Sequence, residues 1–92
     1  MKKQFKESLQ SAVFTSKFVI ENSSPIVSVI HHEDGTWEFL GKEVITEREI
    51  MIVSLNQIIK IDPSLLELTD LPIEFTAVRK SKDNTWELIP RY

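Results

Sequence analysis

The chain has 92 residues, no cysteine, two glycines and a formal charge of −3 at pH 7. That length leaves room for one modest core and not two. The missing cysteines exclude disulfides, thiolate chemistry and cysteine-ligated zinc or iron–sulfur sites. At 41% hydrophobic and 27% charged, the composition is that of a folded domain, and two glycines are too few for a phosphate-cradling loop.

Phe5, Leu9 and Ala12/Val13 recur at helical spacing and predict a short amphipathic helix over residues 4–12, with 1–10 as a frayed helix or tail. Residues 13–20 read as a strand running into a short turn, and Asn22-Ser23-Ser24-Pro25 as a loop. Residues 26–31 carry apolar groups on both faces, as a central strand does. Asp34-Gly35 is the strongest turn signal and predicts a hairpin with a connection longer than two residues. In the returning strand Trp37 and Phe39 share one face, Thr36 and Glu38 the other, and Gly41 ends it.

Residues 42–49 are charged and expected to be exposed, and residues 50–53 read as a third buried strand. Ser54 with Gln57 forms a capping-box pattern ahead of a helix carrying Leu55, Ile58 and Ile59. Asp62-Pro63 opens a second short helix, with Asp62 as N-cap and proline where its missing N–H costs nothing. Leu71-Pro72 closes it, and strands follow over 73–80 and 85–89. The expectation is a single α+β domain over 1–92: a mostly antiparallel sheet of four to five strands with two or three short helices on one face.

Asp34-Gly35-Thr36-Trp37-Glu38-Phe39-Leu40 is echoed by Asp83-Asn84-Thr85-Trp86-Glu87-Leu88-Ile89. Glycine and asparagine both tolerate positive φ, so the two copies read as the same turn feeding the same kind of strand, either by duplication or by independent use of one hairpin solution.

No catalytic set emerges from these residues. His31-His32-Glu33-Asp34 is the one cluster of metal-binding side chains, yet adjacent strand residues point to opposite faces. Ser28 and His32 share a face but lie about 13 Å apart, beyond hydrogen-bond reach. Glu38 and Glu87, equivalent in the echoed strands, are the one candidate carboxylate pair, and each alternates with a tryptophan that favours burial. Trp37 beside Phe39 reads as core; Trp86 reads as either core or interface anchor.

The basic residues form two small clusters, Lys2, Lys3 and Lys6 and then Arg79, Lys80 and Lys82. Between them, residues 33–49 carry six acids against Lys42 and Arg48, and residues 62–74 carry four acids and no base. Such a surface repels phosphate backbones, so nucleic acid is not the expected partner. No signal peptide or membrane-length apolar run is visible, which makes a cytoplasmic protein without membrane attachment the expectation. The candidate partner-binding residues are Glu33, Asp34, Glu38, Glu43, Glu47, Glu67, Asp70 and Trp86; no catalytic, metal or cofactor residue is assigned.

Three segments taken together carry a resemblance: Pro25-Ile26-Val27 leading to Asp34-Gly35-Thr36-Trp37-Glu38-Phe39-Leu40-Gly41-Lys42-Glu43, Ser54-Leu55-Asn56-Gln57-Ile58-Ile59 running into Asp62-Pro63-Ser64-Leu65-Leu66, and Leu71-Pro72-Ile73-Glu74-Phe75-Thr76-Ala77-Val78-Arg79. Over residues 25–79 this order resembles a small bacterial domain-of-unknown-function family grouped with immunity proteins of polymorphic toxin systems. The sequence departs from that pattern at Thr36, Glu38 and Lys42, where the family tends to have glycine, arginine and aspartate. The resemblance implies binding without catalysis, with an acidic surface occluding a cognate toxin encoded nearby. The alternative expectation is a small ligand-binding or metal-dependent enzyme domain using His31, His32 and Glu33. A module that self-associates through an edge strand is a third, and the sequence leaves monomer and homodimer open.

Overall fold

A computed structural model describes residues 4–91. Six strands, β1 Ala12–Ser16, β2 Ser28–His31, β3 Trp37–Leu40, β4 Ile50–Ser54, β5 Phe75–Val78 and β6 Glu87–Pro90, form one sheet in the order β4-β1-β3-β2-β5-β6. Neighbours are antiparallel except β1 and β3, which run parallel. The α+β class and the mostly antiparallel sheet are as expected, with six strands in place of four to five.

Two short helices, α1 Lys17–Glu21 and α2 Leu55–Ile61, and a 3₁₀ helix Pro63–Leu68 lie over one face of the sheet. The covering is set by the pleat. Val13, Val29, Phe39 and Ala77 alternate toward that face and are at most 2% exposed. Val19, Leu55, Ile58, Leu65 and Leu68 from the helical layer pack against them, and Phe5, Ile26, Trp37 and Leu71 belong to the same core. The buried Thr15 hydroxyl is satisfied by donating to the Phe39 carbonyl at 2.6 Å, so the parallel β1–β3 junction leaves that group with a partner.

Local signals are honoured where caps and turns were legible. The Ser54 hydroxyl accepts from the Gln57 N–H at 3.1 Å and starts α2. Asp62 accepts from the Ser64 N–H at 3.0 Å with Pro63 at the first position of the next helix. Trp37 and Phe39 are buried while Glu38 faces the other side. The hairpin connection spans five residues, 32–36, with Gly35 at φ +92°.

Three expectations are corrected. Residues 4–11 are not helical: Phe5 is buried with its ring edge-on to Trp37 at 5.1 Å, and a turn closed by Ser11 N–H on the Ser8 carbonyl feeds β1. One aromatic anchor outweighs a periodicity that Ser8 and Ser11 dilute. β4 is not a buried strand but a sheet edge, with Ile50 38% and Ile52 64% exposed. The echoed turns also differ. Asp34 accepts from the N–H and hydroxyl of Thr36, whereas Asn84 donates its N–H to the Ser81 carbonyl and lacks positive φ. Trp37 sits inside β3, while Trp86 precedes β6.

Arg79 ties the helical layer to the sheet. Its guanidinium donates to the Ile26 carbonyl at 2.8 and 3.0 Å, to the Ser64 hydroxyl at 3.1 Å and to the Asp62 carboxylate at 2.6 Å. The Arg79 and Asp62 side chains are 1% and 7% exposed, so this is a buried ion pair held by charge-assisted hydrogen bonds.

Candidate functional site: an uncovered sheet face with an acidic end

The face opposite the helices carries no covering element among the described residues. One cross-sheet row on it runs through all six strands: Ile52, Phe14, Glu38, Ile30, Thr76 and Ile89 are successive register partners. None of the six is buried, and Ile52 and Ile89 are 64% and 42% exposed. The β4 run alternates between the two faces, which is why it reads as apolar throughout without being central.

At the hairpin end of this face lies a broad depression of about 610 Å³ lined by Phe14, Ile50, His32, Glu33, Asp34, Thr36, Glu38, Glu74 and Arg91. Four carboxylates face one guanidinium there. The His32 Nε2 is 2.9 Å from Glu38 Oε1, and Arg91 Nη1 is 3.2 Å from His32 Nδ1. A guanidinium only donates, so Nδ1 is the acceptor, and the neutral imidazole carries its proton on Nε2 and donates to Glu38. The imidazole thus holds the Glu38 carboxylate in the row between Phe14 and Ile30. Hydrogen bonds from the Thr36 N–H and hydroxyl hold the Asp34 carboxyl below its usual range, keeping that charge at the rim.

Glu74 contributes to the same end with φ +63°. Its N–H donates to the His31 carbonyl and its own carbonyl accepts from the Arg91 N–H, both at 2.7 Å. The chain is clamped on both sides into a conformation glutamate disfavours, and strain retained in this way is typical of working surfaces.

His31 lies on the other side of the sheet. Its ring stacks on Trp37 at 3.9 Å, and Nδ1–H donates to the Leu71 carbonyl at 2.7 Å. Nε2 is 4.0 Å from the Glu7 carboxylate, which accepts the Trp37 indole N–H at 2.9 Å. The two imidazoles do not converge, and among the described residues no three histidine or acidic side chains group to hold a metal ion.

Of the residues expected to bind a partner, Glu33, Asp34 and Glu38 come together in the depression. Glu43 instead accepts from the Ser24 hydroxyl at 2.6 Å and packs beside Gly41. Glu47 opens a 3₁₀ turn, Glu47–Glu49, that leads into β4. Glu67 and Asp70 lie on the helical side of the sheet, so of the 62–74 stretch only Glu74 lines the depression. Trp86 is half-buried beneath the Arg79 guanidinium, 4.0 Å from the ring centre, and packs against the core's rim. Glu38 and Glu87 are separated by β2 and β5 and form no carboxylate pair. Lys2 and Lys3 of the N-terminal basic cluster lie outside the described residues.

Sequence reasoning missed Phe14, Ile30, Ile52, Ile89, Glu74 and Arg91. The alternation along residues 50–54 carried part of the signal, but which apolar face stays uncovered depends on where the helices land. No described helix is long and apolar enough to cross a membrane. Compared with known proteins, the chain matches no family model, no curated protein and no solved structure.

Proposed function

We propose that this chain is a non-enzymatic protein-binding domain whose partner docks on the uncovered sheet face, the partner's surface being apolar where it meets Ile52, Phe14, Ile30 and Ile89 and basic where it meets Glu33, Asp34, Glu38 and Glu74. The observation that carries this reading is the six-strand row with no covering element among the described residues, crossed at Phe14 and Glu38 by a carboxylate-rich depression. Exposed Ile52 and Ile89 and half-buried Phe14 and Ile30, interleaved with the Glu38 carboxylate, give the mixed apolar and polar surface usual for a protein interaction site, and complementary charge speeds encounter and fixes orientation.

The immunity-type role suggested by the resemblance over residues 25–79 belongs to this reading: the partner is then a toxin with a basic surface, encoded nearby and bound in the cytoplasm. Growth arrest by the neighbouring gene product, relieved by co-expression of this chain, is the expected result, with a co-purifying complex. Ile30→Glu and Glu38→Lys are expected to abolish both relief and complex while leaving the fold intact. A neighbour without toxicity, or relief that survives both substitutions, overturns the proposal.

A further inference from the structure

The two edges of the sheet are built differently, and main-chain direction makes this visible. The Leu55 N–H donates to the Ser11 carbonyl, continuing the β1–β4 register in which Val53 faces Val13 and Met51 faces Thr15. Leu55, Val53 and Met51 therefore turn their main-chain groups toward β1, and Ile50 and Ile52 turn theirs outward. On the other edge the Arg91 N–H donates to the Glu74 carbonyl, so Ile89 and Glu87 face β5 while Leu88 and Pro90 face out. Proline has no N–H to offer, and β6 is thereby blunted.

β4 has no such device. Ile50-Met51-Ile52-Val53 contains no charge and no proline, Ile52 is 64% exposed, and β1 occupies only the inner side of the strand. Natural sheets protect a bare edge of this kind or pair it.

We propose that β4 pairs antiparallel with β4 of a second copy of this chain, about a two-fold axis through Met51. The strand is its own complement. In this register Ile50 lies opposite the second copy's Ile52, and the outward N–H and C=O groups of both are satisfied reciprocally, an isologous contact that closes on itself. Glu49 falls opposite Val53 and Arg48 opposite Ser54, so no like charges meet. Pro90 removes an outward donor from β6 and disfavours further addition there, so association is expected to stop at two copies, with the uncovered faces joined into one surface.

The test is the molar mass by light scattering and sedimentation across a concentration series. The expected result is a monomer–dimer equilibrium with nothing larger. Ile52→Lys, at an exposed position, is expected to weaken association at least about tenfold with an unchanged circular dichroism spectrum, while Leu88→Lys on the blunted edge leaves it intact. Met51→Cys gives the chain its one thiol, placed opposite its symmetry mate at a Cα separation of about 4.5 Å, within disulfide span; mild oxidation is expected to yield a covalent dimer. A concentration-independent monomer, a dimer that survives Ile52→Lys, or a Met51→Cys chain that does not cross-link overturns the proposal. The inference does not rest on the partner reading, since Ile30→Glu removes toxin relief without disturbing β4 pairing.

Discussion

Asp62 concentrates three tasks in one side chain: it caps the 3₁₀ helix, binds Ser64 and neutralises the buried Arg79. Burial pushes its carboxyl up, but the hydrogen bonds from Ser64 and Arg79 outweigh that and hold it below its ordinary value. Asp62→Ala would leave the guanidinium buried without its counter-charge, and we expect a loss of about 3–5 kcal/mol, read from the urea midpoint at neutral pH. The pH dependence follows from the sign of the shift. A carboxyl depressed in the fold stabilises it at every pH above the unfolded value of 3.8, and that contribution disappears as pH falls through the folded value. The urea midpoint of the native chain should therefore drop from about pH 4 downward, while Asp62→Asn, less stable throughout, should show a shallower acid limb. Equal acid limbs would remove Asp62 from the explanation.

At the scale of single elements, turn and cap chemistry governs. Gly35 sits at φ +92° and a Cβ added there would meet nothing within 4 Å, so space is not the constraint; backbone conformation is. Gly35→Ala is expected to cost about 1 kcal/mol by thermal or urea unfolding, with the Asp34–Thr36 hydrogen bonds weakened. These elements were legible because each rests on neighbours in sequence: Asp34 with Thr36, Ser54 with Gln57, Asp62 with Ser64. The expected N-terminal helix was not, because Phe5 answers to Trp37 across the fold. The echo of Asp-x-Thr-Trp-Glu misled for a related reason. Gly35 takes positive φ and Asn84 does not, since Ser81 builds the second turn from outside the repeated segment.

For the molecule as a whole, adjacent residues on β2 separate the roles of the two faces. Val29 is fully buried under the helices, and Ile30 stands in the uncovered row. Val29→Ala is expected to cost about 1–3 kcal/mol. Ile30→Ala, despite deleting more atoms, is expected to cost less than Val29→Ala in the same unfolding experiment, and to affect partner binding instead. The reverse ranking would mean that the row from Ile52 to Ile89 is core.

The 92 residues by themselves determined the α+β class, the hairpin at Asp34-Gly35, the caps at Ser54 and Asp62, and the opposite facing of Trp37 and Glu38, all of which follow from local backbone chemistry and the two-residue period of a strand. They also separated His31 from His32 before any fold was known. Tertiary structure alone decided the rest: that β4 is an edge and not a central strand, that Glu33, Asp34 and Glu38 meet Glu74 and Arg91 while Glu67 and Asp70 lie across the sheet, and that the face carrying Ile52, Phe14, Ile30 and Ile89 stays open. Strand order and helix placement come from long-range packing, and a charge count of −3 contains no record of which side of a sheet the helices cover.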